Sequence, residues 1–168
     1  MPYPQRLQNF SVFADGKGYV GLAPELNLPK VTSKTEEYRA GGMDTPVEVI
    51  TGTEKLECSF TLAEYNAAVM ALWGITTSAE TQFSFRGAVQ RQGEDAQAIV
   101  ATIGGRIKEL DPGTWKAGDQ ATLKSSIAVT YYKLNINGVD VIEIDVVNMK
   151  RIIKGVDQLA SQRAALGI

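Results

Sequence analysis

The residues with chemical potential are few, and each has a plainer structural reading. Gly16-Lys17-Gly18-Tyr19-Val20-Gly21 has the G-x-G-x-x-G spacing of a dinucleotide-binding turn. There, glycines let the backbone approach a pyrophosphate, but only where the motif follows a buried parallel strand and opens a helix. Here Pro24 and Pro29 follow at once and no crossover helix is available, so a hairpin turn is expected instead. Glu36-Glu37 and Glu94-Asp95 are adjacent carboxylates. Neighbours in a strand point to opposite faces, so such a pair cannot act together on one substrate. Glu143 and Asp145 would share a face, but two carboxylates without further oxygen ligands make a poor calcium or magnesium site. Cys58 falls on the apolar side of an alternating stretch, where a buried, inert thiol is expected. Trp73 and Trp115 are expected to pack, with Trp115, beside a turn, open to a second role as an interface anchor.

Composition removes most catalytic chemistry. The chain has no histidine, so the commonest general base and metal ligand are missing, and its one cysteine forms neither an intrachain disulfide nor a zinc cluster. No catalytic residue, metal site or cofactor is expected, and the chain reads as a non-enzyme. The formal net charge is −2, and only Lys150-Arg151 are adjacent cations, which leaves no basic footprint for gripping nucleic acid. The first residues, MPYPQRLQNF, lack a signal-peptide pattern, and no apolar run approaches membrane-spanning length, so assembly in the cytoplasm is expected. At 168 residues the chain is expected to form one domain, residues 1–168.

The elements that must position these residues are mostly strands. Residues 7–14 and 17–22 flank Asp15-Gly16 and read as a hairpin. In 56–62, Leu56, Cys58, Phe60 and Leu62 alternate with Glu57, Ser59 and Thr61, the clearest strand pattern in the chain. Thr61-x-x-Glu64 has the form of a capping box. Leu62, Tyr65, Val69 and Leu72/Trp73 then recur at helical spacing up to Gly74, predicting a helix against the sheet. Residues 82–91 and 97–110 read as strands, the second broken by a bulge at Gly104-Gly105. Asp111-Pro112-Gly113 is a turn; 121–136 is a long strand with a bulge near Tyr131-Tyr132; Asn137-Gly138 turns into 139–144. Residues 155–168 read as a short amphipathic helix using Val156, Leu159, Ala160 and Leu166. The expected class is mainly β: an antiparallel sandwich or barrel with a flanking α-helix and a short C-terminal helix.

Residues 28–52 stand apart. Thr32, Ser33, Lys34, Thr35, Glu36 and Glu37 give a strand polar on both faces, which cannot wall a dry core. Gly41-Gly42 provides a turn and Pro46 opens a second extended run. An extended polar hairpin that reaches out to build an assembly is expected.

This stretch also carries a resemblance. Leu28-Pro29-Lys30, Glu36-Glu37-Tyr38-Arg39, Ala40-Gly41-Gly42-Met43 and Pro46-Val47 resemble the signature of the major tube proteins of contractile phage tails and R-type pyocins. The likeness spans nearly the whole chain. It continues in Asn9-Phe10 to Asp15-Gly16, Ile107-Lys108-Glu109-Leu110-Asp111 to Gly118, Tyr131-Tyr132-Lys133-Leu134, Ile142-Glu143-Ile144-Asp145, Asn148-Met149 and Gly155-Val156-Asp157-Gln158-Leu159. One departure is Lys154, where the family pattern has asparagine before the glycine. The resemblance implies hexameric rings whose sheets join into a tube-lining β-barrel and stack into a hollow conduit for DNA ejection or membrane puncture. Its implied partners are the sheath outside, a baseplate and tail terminator at the ends, and the tape measure protein and then DNA in the lumen, without tight binding. It places Lys30, Lys34, Glu37, Tyr38, Arg39, Gly41, Gly42, Met43 and Pro46 at subunit or ring contacts. Glu36, Glu48 and Glu57 are candidates for an acidic lining past which DNA slides. The alternatives are a soluble ligand-binding β-barrel, or the tube of a related secretion system.

Overall fold

The computed structural model describes residues 1–77 and 79–168. In chain order the strands are β1 (Arg6–Ala14), β2 (Lys17–Gly18), β3 (Glu25–Asn27), β4 (Ser33–Tyr38), β5 (Val47–Thr53) and β6 (Leu56–Leu62). After a single helical turn, α1 (Ala67–Met70), come β7 (Thr81–Gln90), β8 (Gln97–Asp111), β9 (Leu123–Ile136), β10 (Val139–Asp145), β11 (Lys150–Ile153) and β12 (Val156–Asp157). The final element is α2 (Ala160–Leu166). The fold is mainly β and antiparallel throughout. Ten strands form one sheet and β4–β5 form a separate two-stranded sheet.

The main sheet branches at β9. One side of β9 pairs with β8 along most of its length. Its other side pairs first with β6, from Leu123↔Leu62 to Val129↔Leu56, and then with β10, from Tyr131↔Asp145 to Ile136↔Val139. The change of neighbour falls at Thr130, where the β8–β9 register shifts opposite Gly104 and Gly105, and Thr130 Oγ1 donates to the Gly104 carbonyl at 3.2 Å. The extra residue bends the strand, and the bend lets β6 leave the plane that β10 continues. The predicted bulge is therefore present, one residue before Tyr131.

Beyond the bend the sheet curls over its own inner face. Phe60 of β6 lies 6.1 Å from Phe83 and 6.0 Å from Phe85 of β7 between ring centroids, although β9 and β8 separate these strands in the sheet. Alternation explains which residues meet there. Leu56, Cys58, Phe60 and Leu62 are buried, as are Leu123, Ser125, Ile127 and Val129 of β9, Ile103 and Ile107 of β8, and Val12 and Ala14 of β1. Tyr19, and Val69 of α1, belong to the same buried cluster.

Two helix expectations are corrected. The capping box at Thr61 and Glu64 does not form. Thr61 stays in β6, paired with both Glu25 and Lys124, and a residue held by two ladders is not free to cap. The cap is Asn66, whose Oδ1 accepts from Ala68 N at 3.0 Å and Val69 N at 3.2 Å, and α1 is one turn rather than a helix from Leu62 to Gly74. At the C-terminus, Lys154 (φ 47°) and Gly155 (φ 80°) make a two-residue turn into β12, so Val156 is in a strand and α2 begins only at Ala160. No residue of α2 is buried; Arg163 pins it by donating to Asp157 Oδ2 at 2.5 Å and to Met149 O at 2.8 Å.

The same left-handed two-residue turn occurs at Asp15-Gly16 and Asn137-Gly138, where the first residue type tolerates positive φ better than lysine does. Lys154→Asn should therefore raise stability by roughly 0.5 kcal/mol, read as a higher urea midpoint with unchanged slope. Gly105 is constrained by space instead: a methyl there would overlap the Ala128 carbonyl oxygen across the ladder. Gly105→Ala should cost about 2–3 kcal/mol, whereas Gly41→Ala, which meets nothing, should stay within about 0.5 kcal/mol.

Candidate assembly surface

The β4–β5 hairpin is built by cross-strand pairs Ser33↔Thr53, Lys34↔Gly52, Thr35↔Ile50, Glu36↔Val49, Glu37↔Glu48 and Tyr38↔Val47, with one bulge at Thr51. The tip folds on itself: Met43 N donates to Ala40 O at 3.2 Å, and Arg39 Nε donates to Met43 O at 3.2 Å. Gly42 supplies the positive φ of 87° that this reversal needs. At the root, Pro29 is buried, Glu54 N donates to Thr32 O at 2.9 Å, and Arg151 Nη1 reaches Thr53 Oγ1 at 3.3 Å. Between root and tip the hairpin stands exposed among the described residues. Lys30, Lys34, Glu36, Glu37, Tyr38, Arg39, Gly41, Gly42, Pro46 and Glu48 are all exposed, and Met43 is half-buried against its own tip.

The hairpin is less polar than its first strand. Directly paired residues point the same way, so Tyr38, Val47 and Val49 share one face with Glu36, while Glu37 and Glu48 share the other with Thr35 and Ile50. Tyr38 is 56% exposed and Ile50 65%, and none of the described residues covers them. The alternation in Val47-Glu48-Val49 was the sequence signal for this apolar face. Glu36 and Glu48 lie on opposite faces, so the two do not line one surface together. Glu57 is elsewhere, on the outer face of β6. It forms ion pairs with Lys55 at 3.1 Å and with Lys108, and these partners, Lys108 first, hold its carboxyl below the usual carboxylate range.

The residues with chemical potential do not converge. Gly16 and Gly21 lie in turns rather than at a helix start, and at Gly18 a side chain would run into the Phe13 ring. Cys58 is buried and its thiol is pushed up to about 12 by burial, which keeps it protonated and unreactive. Glu143 accepts from Tyr131 Oη at 2.9 Å, and Asp145 accepts from Asn148 N at 3.1 Å and Asn148 Nδ2 at 2.7 Å; both carboxylates are spent on local structure. Burial and then Glu143 push the Tyr131 phenol up to about 12. Neither tryptophan is in the core. Trp73 Nε1 donates to Lys108 O at 3.1 Å, and Trp115 is 80% exposed beside Tyr65, 6.1 Å away between centroids. Among the described residues no cluster of acids and cysteine could hold a metal ion, and no helix is long and apolar enough to cross a membrane.

Comparison with known proteins agrees with an assembly role. The model of the family Phage tail tube protein FII matches residues 4–167. The tail tube protein of Escherichia phage P2 is 32% identical over 172 residues, covering all of both chains. The major tail tube protein of Serratia phage KSP20 is 33% identical over 150 residues, 88% of this chain and 86% of that one. Among solved structures, a chain in the PVC sheath/tube terminator of an extracellular contractile injection system, in its extended state, superposes with a TM-score of 0.61. It shares 10% identity over 79% of this chain and 97% of that one. A chain of the corresponding sheath-tube complex gives the same TM-score, 0.61, at 10% identity, over 79% of this chain and 92% of that one. At that identity the likeness is one of fold.

Proposed function

Because the chain belongs to the phage tail tube protein FII family and is a structural subunit of a contractile tail's tube, we propose that six copies close into a ring and that rings stack into a hollow conduit. The observation that carries the stacking is the hairpin over residues 28–52: it is detached from the body and holds Tyr38, Val47, Val49 and Ile50 in water. A free subunit gains by covering such a surface, and another copy is the partner a homopolymer supplies. Closing sheets around a ring also removes edges that would otherwise aggregate. The work is mechanical rather than catalytic. The tube is a component of the virion tail, assembled in the host cytoplasm, with a sheath outside, a baseplate and terminator at its ends, and tape measure protein or DNA within.

The wet face of the main sheet, with Glu57, Ser59, Thr61, Lys124 and Ser126 on β6 and β9, has the polarity a water-filled bore requires. Its cations are partly answered: Glu57 engages Lys55 and Lys108, and Asp140 lies 3.3 Å from Lys133. A lysine already paired releases less counterion on meeting a phosphate, so the face holds DNA weakly.

Negative-stain electron microscopy of the purified chain, alone and on added baseplates, should show six-fold hollow rings or stacked tubes. Monomers that fail to extend even on a baseplate would sink the conduit reading. In a phage, Glu57→Lys frees two lysines and adds a third, and should cut DNA delivery by about tenfold or more while tubes still form. Normal delivery would remove Glu57 from the lining.

A further inference from the structure

The free edge of β1 has two unlike sides, and the hairpin has two unlike faces that match them. β1 pairs with β7 on one side, but on the other it meets β2 only at Phe13 and Ala14, so its edge over residues 6–11 carries no strand among the described residues. Alternation puts Leu7 and Phe10 on the inner side of this edge, opposite Val89 and Gly87. There they border an apolar groove of about 290 Å³ completed by Leu26, Leu28 and Ile99. The outer side carries Arg6, paired with Gln90, and a second trough of about 600 Å³ that Arg6 lines with Gln8 and Arg91. Neither arginine forms an ion pair among the described residues.

We propose that the β4–β5 hairpin of one copy seats along the free β1 edge of a second copy. This rests on the tube reading and names the surface that receives the hairpin. Main-chain hydrogen bonds extend the sheet by strand addition. The face with Tyr38, Val47 and Val49, which also carries Glu36, covers the Leu7 and Phe10 groove. The opposite face turns Glu37 and Glu48 toward Arg6 and Arg91. That second contact accounts for an otherwise unfavourable feature, since like charges directly across a ladder destabilise a lone hairpin and two guanidinium groups relieve them.

The test is charge reversal with rescue, read as tube length on added baseplates by electron microscopy. Arg6→Glu with Arg91→Glu, and separately Glu37→Arg with Glu48→Arg, should each shorten tubes by about tenfold, the effect expected when interface charge pairs are lost. All four changes together should restore length. The altered side chains are exposed, so circular dichroism should stay that of the parent chain. Unchanged length in either double variant, or no rescue in the quadruple variant, would overturn the seat while parent tubes still grow. Failure of the parent chain to grow on baseplates would overturn the tube reading and the seat with it.

Discussion

Everything in this fold depends on β9 serving three neighbours. A strand has two hydrogen-bonding sides, and β9 offers one of them to β6 and then, past Thr130, to β10. That division forces the sheet to bend, and the bend brings Phe60 onto Phe83 and Phe85. The core is thus made from one continuous sheet rather than from two independent ones. It also fixes what is left outside: an outer face of alternate polar residues, a free edge on β1, and a hairpin between β3 and β6 that no part of the core needs.

The hairpin and the free edge are places where the subunit departs from what a monomer should look like. A soluble monomer blunts exposed edges and covers aliphatic side chains. Here Tyr38, Val47, Val49 and Ile50 stay in water, and Glu37 faces Glu48. Such features are unfavourable for an isolated chain and become consistent once copies meet. The charged residues of the body behave differently. Glu57, Asp140 and Asp157 each have a cation beside them, whereas Glu37 and Glu48 of the hairpin have none among the described residues.

Strands were legible because alternation and turn residues agreed. Leu56 to Leu62, Phe83 with Phe85, and Asn137-Gly138 each needed only local information, and the bulge at Thr130 announced itself as a switch of the apolar face. Helices were misread where one pattern served two structures. Thr61 and Glu64 have capping-box spacing, but Thr61 also completes the alternation of β6, and pairing on both sides decided the matter. Lys154 hid a turn because lysine rarely adopts positive φ, so the helix seemed to extend back to Gly155. Exposure of the hairpin was readable from its polar first strand. Its receiving surface was not, because Leu7, Phe10, Arg6 and Arg91 are brought together only by the β1–β7 ladder.

The hairpin's loose footing has a kinetic consequence. Two edge strands alone are marginally stable in water, so on the proposed seating the shape that docks would be populated for only part of the time. The apparent affinity between two free copies falls by that fraction. On the proposed ring, with several seats side by side, effective concentration would offset the same penalty. On that seating, starting an assembly would be harder than continuing one, and a pool of subunits would stay dispersed until a template exists. The threshold would then lie in the marginal stability of the hairpin itself.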